Sequence, residues 1–170
     1  MAGRTYVLLH GAWHGAWCWR DVAARLRAAG HAVFTPTQTG LGERSHLLSR
    51  GITLDTFVTD LVQVLEAEEL EDVVLVGHSF GGLAISGAAD RVPGRIRHLV
   101  YLDSMVLEGG QSPFARLPED VVAARRRLIA EQGGGIAIPP PPVSGFGIPE
   151  DHPLAPLGAA APDAASGRHL

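Results

Sequence analysis

The apolar run Val73-Val74-Leu75-Val76 leads straight into Gly77-His78-Ser79-Phe80-Gly81, and a helix-compatible stretch from Leu83 to Arg91 follows. This sets a serine on a strand-to-helix turn. Glycines two residues to either side let the backbone fold so sharply that the hydroxyl stands above the sheet, over the positive end of the next helix. A turn of that kind needs a buried strand before it and a packed helix after it.

The rest of the chain supplies such pieces in alternation. Thr5 to Leu9 reads as a buried strand ended by His10-Gly11, and Trp19 to Ala29 as a helix stopped at Gly30. Ala32 to Thr35 is a second strand, closed by Pro36, after which a loop rich in Gly, Thr and Ser reaches Gly51. Leu54, Phe57, Val58, Leu61, Val62 and Leu65 mark one face of the clearest helix, with Thr53 as N-cap and Asp55 in its first turn. The strand Val73 to Val76, a helix ending near Pro93 and the strand Leu99 to Leu102 complete the series. Alternation of this sort predicts right-handed crossovers and a parallel α/β sheet covered by helices on both faces.

Past Asp103 the pattern weakens. Glu119 to Gln132 is a predicted helix ended by Gly133-Gly134-Gly135, and Pro139-Pro140-Pro141-Pro142 opens a tail that favours extended or poorly ordered chain. The expected division is residues 1–117 as a core and residues 118–170 as a partial cap with a Pro/Gly/Ala-rich tail. No internal repeat is present.

Composition excludes several classes. The net charge is −4 and the basic residues form no stripe, Arg125-Arg126-Arg127 reading as a solvated helix face, so no nucleic-acid partner is expected. No apolar run approaches the ~20 residues that cross a bilayer, and the start of the chain has no secretory pattern. Cys18 is the single cysteine, so no intrachain disulfide forms and a cytoplasmic location is expected.

A serine hydroxyl needs a base, and the tetrahedral intermediate needs N–H donors aimed at its oxyanion. The first donor is expected from Phe80, next to the nucleophile. The second is expected from Ala12, in the His10-Gly11-Ala12 loop after the first strand.

Val7 to Trp17 (VLLHGAWHGAW), Gly40 to Leu47 (GLGERSHL) and Gly77 to Gly82 (GHSFGG) together resemble the α/β-hydrolase superfamily. The similarity covers about Thr5 to about Leu117 and is strongest to bacterial, salicylate esterase-like enzymes related to plant methylesterases and hydroxynitrile lyases. It implies Ser79 as nucleophile, Ala12 and Phe80 as oxyanion-hole donors, small esters as substrates and no cofactor. It also implies an acid after a later strand and a histidine after the last one, with a helical cap inserted before both. Neither partner has a matching position here, so the chain is expected to be a C-terminally truncated member. Similar lyases place a threonine where this chain has Gly11, which favours ester hydrolysis.

Substitutes for the missing partners are few. His46, in the loop after the second strand, and Asp103, ending the last strand, both belong to the face where parallel strands meet ligands. His169 lies at the extreme end, in a segment without an anchor, and His10 and His14 read as loop-shaping or weaker alternatives. His31, His78 and His98 read as structural. A metal site on His10-x-x-x-His14 lacks a third ligand, so no metal is expected. Trp13, Trp17 and Trp19 either line an acyl pocket or pack under the first helix.

The expected architecture is therefore an incomplete α/β-hydrolase fold. Its first strand lies beside the third, the second lies outside the first, and the fourth lies outside the third. That fourth strand becomes an apolar edge, which invites self-association between copies. Two functions stay open: a serine carboxylesterase working through an acyl-enzyme on Ser79, and a catalytically silent truncated hydrolase or binding module.

Overall fold

The computed structural model describes residues 3–149 and 151–152. The chain divides into two compact units, Met1–Gln111 and Ser112–Leu170. The first holds four strands, β1 (Thr5–Leu9), β2 (Ala32–Phe34), β3 (Val73–His78) and β4 (Ile96–Leu102), and three α-helices, α1 (Arg20–Ala28), α2 (Leu54–Ala67) and α3 (Gly81–Arg91). The second holds α4 (Glu119–Glu131) and the 3-10 turns Pro113–Arg116 and Val143–Phe146. His169, Pro153-Leu154 and the tail from Gly158 onward lie outside the described residues.

All strand pairings are parallel, as the alternation of elements predicts, and their order is β2-β1-β3-β4, as the α/β-hydrolase resemblance implies. Side chains alternate across such a sheet, so successive strand residues feed different cores. On β1, Val7 and Leu9 join Val73 and Leu75 of β3 against α2 and α3, while Leu8 joins Val74 and Val76 against Trp19 and Ala23 on the other side. Runs of apolar residues with no polar alternation are what a strand buried on both faces requires.

α2 carries its helical stripe into the first of these cores: Val58, Leu61, Val62 and Leu65 are buried, each contributing about 1.5–3 kcal/mol of transfer free energy. Its start is fixed by the Thr53 N–H, which donates to the Thr56 hydroxyl at 3.1 Å. The loop after β2 is also tied to this helix. Asp60 accepts from the Thr39 N–H at 2.6 Å and from its hydroxyl at 2.8 Å, and Arg44 lies 3.6 Å from the same carboxylate.

The structure refines two boundaries and adds two short turns. α3 begins at Gly81 rather than Leu83, because packing beneath the His10 carbonyl holds glycines in a helix they disfavour. β4 begins at Ile96 rather than Leu99, since Arg97 and His98 sit on an edge that tolerates polar residues. Ala16–Trp19 and Gly42–Leu47 are 3-10 turns inside stretches without helical periodicity. Beyond β4 the sheet has no further strand among the described residues, and Val100, Tyr101 and Leu102 are 41%, 37% and 49% exposed.

Candidate active site

Ser79 sits between the end of β3 and the start of α3 with φ +52°. A residue with a Cβ pays about 1–2 kcal/mol for that left-handed conformation, so its surroundings must enforce it. They do so through both peptide groups. The Ser79 N–H donates to the Leu102 carbonyl at 3.2 Å, and the Ser79 carbonyl accepts from the Ser104 hydroxyl (2.8 Å), the Met105 N–H (3.0 Å) and the Gly82 N–H (3.2 Å).

The flanking glycines have steric reasons. A Cβ on Gly77 would lie 2.9 Å from the Gly81 carbonyl carbon and oxygen, and one on Gly81 would lie 2.7 Å from the His10 carbonyl oxygen. Neither neighbour can yield, because both are backbone. The Gly-x-Ser-x-Gly spacing is thus the spacing at which β3, α3 and the loop after β1 meet. The side chain of Ser79 is half-buried.

The loop after β1 closes over the serine. A Cβ on Gly11 would lie 3.0 Å from the Ser79 Cβ and 3.2 Å from the His78 Nδ1, so only glycine lets this backbone approach. His10 is fully buried, its Nδ1–H donating to the Gly11 carbonyl at 2.8 Å and its Nε2 accepting from the Gln38 N–H at 3.1 Å. Those partners require the neutral ring, and burial pushes its pKa down to about 4. Ala12 follows, its carbonyl accepting from the His14 Nδ1–H at 2.6 Å, and Trp13 turns the chain with φ +63°. Phe80 is the N-cap of α3, so its N–H stands at the positive end of that helix.

The remaining predicted residues scatter. Asp103 follows β4 directly, in a left-handed conformation (φ +42°), and is exposed. Its charge acts on His78, raising a pKa that burial, and then His14, hold below the ordinary histidine value. His46 is exposed on the Gly42–Leu47 turn. Among the described residues no histidine ring hydrogen-bonds to the Ser79 hydroxyl, and no group of three or more His, Cys, Asp or Glu side chains gathers as a metal site. Trp19 is buried in the core under α1 and meets His78 edge-on at 6.4 Å, and Trp17 lies against His14 at 5.4 Å. His31 accepts from the Arg4 N–H and meets the ring of Tyr6, a structural use.

The pattern of the Alpha/beta hydrolase family matches residues 6–169. The chain belongs to that family. The chain is 58% identical over 115 residues to the carbendazim hydrolyzing esterase of Nocardioides sp. (strain SG-4G), an alignment covering 68% of this chain and 48% of that protein. It is 35% identical over 123 residues to methylesterase 7 of Arabidopsis thaliana, covering 69% and 47%. An extracellular α/β-hydrolase from a Paenibacillus species, described as sharing structural and functional homology with tobacco salicylic acid binding protein 2, superposes with a TM-score of 0.80 at 29% identity, covering 94% of this chain and 66% of that one. The chain spans about half the length of the curated relatives it matches.

Three residues that shape the candidate site carry no motif. Ser104 holds the Ser79 carbonyl, Gln38 clamps His10 from two sides, also donating to its carbonyl at 3.0 Å, and Asp60 anchors the Gly40 to Leu47 segment. Each acts across a long sequence separation, so local pattern holds no trace of it. In the second unit, a groove is lined by Phe114, Leu117, Glu119, Val122 and Arg126, with no serine, threonine or cysteine among its lining residues. None of the described helices is long and apolar enough to cross a membrane.

Proposed function

We propose that this chain carries the nucleophile and oxyanion half of a serine carboxylesterase acting on small esters. The Ser79 Oγ attacks the ester carbonyl carbon, the Phe80 and Ala12 N–H groups receive the negative charge that develops on its oxygen, and the alcohol leaves with the proton taken from Ser79. Water then attacks the acyl-enzyme, releasing the acid and restoring the hydroxyl. The observation that carries this reading is the enforced φ of +52° at Ser79, half-buried at the head of α3 with the Gly11 backbone against it. Strain of that kind is retained where it aims a reacting group.

A second reading has its own observation. Among the described residues no histidine ring hydrogen-bonds to the Ser79 hydroxyl, which favours a silent hydrolase fragment, or a binding module that keeps the oxyanion pocket. Asp103 and His46 would be the substitutes to test if turnover is found.

Hydrolysis of p-nitrophenyl butyrate, with carbendazim as a second substrate after the Nocardioides relative, separates the two. The esterase reading expects a rate above buffer that Ser79→Ala abolishes. A rate equal to buffer, or one unchanged in Ser79→Ala, contradicts it and leaves the silent fragment.

A further inference from the structure

We propose that Gln38, in the loop after β2, is a positioning residue for the oxyanion hole: acting through the buried ring of His10, it holds the Ala12 N–H ready for the oxygen that becomes negative when Ser79 attacks. This role presupposes the esterase reading of Ser79 given above. Among the described residues neither the Ala12 nor the Phe80 N–H donates to a protein acceptor. A free N–H beside a nucleophile stabilises an oxyanion only if its direction is fixed beforehand, so something must hold the Ala12 peptide in place.

Two successive peptide planes are held. The Gly11 carbonyl and the Ala12 N–H belong to one planar trans unit and point in opposite directions. The His10 Nδ1–H donates to that carbonyl at 2.8 Å, which turns the Ala12 N–H away from the buried ring. The plane before it is pinned by the Gln38 Nε2–H, which donates to the His10 carbonyl at 3.0 Å. The Gln38 backbone N–H donates to the His10 Nε2 at 3.1 Å, so that nitrogen stays bare and the ring proton sits on Nδ1, where the Gly11 carbonyl needs it. Only this tautomer makes both bonds. The planes so fixed are the ones that border the nucleophile, since a Cβ on Gly11 would lie 3.0 Å from that of Ser79. His10 and Gln38 are both buried, so water offers neither an alternative partner. The Gln38 Oε1 is buried with no hydrogen-bond partner among the described residues. An apolar side chain would avoid that loss, so the amide is explained by what its Nε2–H holds.

Two measurements test this. Nitrogen chemical shifts of the histidine rings in the unaltered chain read the tautomer: a proton on the His10 Nδ1 and a bare Nε2 are expected. The reverse tautomer overturns the proposal, because the Gly11 carbonyl would then have no donor. The second measurement is capture of Ser79 by a fluorophosphonate, resolved into its maximal rate and its half-saturating concentration. It compares the parent with Gln38→Met, which keeps the length of the amide without its donor, and with Leu70→Val, a core substitution just before β3, at the end away from Ser79. The expected maximal rate is at least about tenfold lower in Gln38→Met with the half-saturating concentration unchanged, whereas Leu70→Val keeps both parental values. A Gln38→Met chain that labels as fast as the parent, or a Leu70→Val chain slowed to the same extent, overturns the positioning role while the esterase reading stands. A parent that is not labelled at Ser79 contradicts that reading itself and removes the positioning role with it.

Discussion

The Ser104 hydroxyl donates to the Ser79 carbonyl at 2.8 Å, across 25 positions of sequence. The left-handed Asp103 lies between the end of β4 and this contact, and the Met105 N–H reaches the same oxygen. Two strained residues on neighbouring strands are thus locked to each other. A Cβ on Gly82 would collide with the Ser104 hydroxyl, so the glycine after Gly81 exists to admit the clamp.

Ser104→Ala should therefore cost about 1 kcal/mol of stability, the net worth of one hydrogen bond to an oxygen that keeps its other donors. Gly82→Ala should cost more, because its methyl group also meets the Met105 carbonyl oxygen at 2.6 Å. Urea midpoints of the two variants check the order.

Relief of the strain at Ser79 is measurable apart from any activity. Ser79→Gly should be more stable than Ser79→Ala by about 1 kcal/mol, since only glycine occupies φ +52° freely. Equal thermal midpoints for the two variants would mean that the turn is not strained.

Gly81→Ala should destabilise by about 1–3 kcal/mol, as overpacking does, because its Cβ falls 2.7 Å from the His10 carbonyl oxygen and 3.0 Å from that of Leu9. Thermal denaturation reads this directly. The same substitution at Gly94, where a Cβ meets nothing within 4 Å, is the control and should leave the midpoint nearly unchanged.

His10 makes stability depend on pH. Its ordinary pKa is 6.5 and burial lowers it to about 4 in the folded chain. Above pH 6.5 the ring is neutral in both states and adds no slope. Between 6.5 and 4 the unfolded chain binds a proton that the folded one refuses, so stability falls with pH by on the order of 3 kcal/mol. Below about 4 the folded ring also protonates and the slope ends. The difference in unfolding free energy between the parent and His10→Gln, followed from pH 7 to pH 4, should narrow across that window.

Much of the fold was legible because it is written locally. The unbroken apolar runs of β1 and β3 announce burial on both faces, and α2 shows its stripe at every turn from Leu54 to Leu65. The parallel sheet follows from alternation and handedness once those elements are placed, and the order β2-β1-β3-β4 is the one the family resemblance implies. The serine turn was legible for the same reason: Gly77 and Gly81 stand where backbones collide. What was not legible depends on partners far away. Ser104 is one serine among several until β4 brings it to Ser79, and nothing near Gln38 marks it as the clamp on His10. The starts of α3 and β4 were obscured by glycines and polar residues whose cost is met by tertiary packing or by exposure at an edge.

The most direct test of acyl capture at Ser79 is exposure of the chain to a fluorophosphonate probe, followed by intact mass and peptide mapping. A single adduct on Ser79, lost in Ser79→Ala and slowed in Ser104→Ala, is the expected result. An unmodified Ser79, or an adduct that persists in Ser79→Ala, would contradict the assignment of that hydroxyl as a nucleophile.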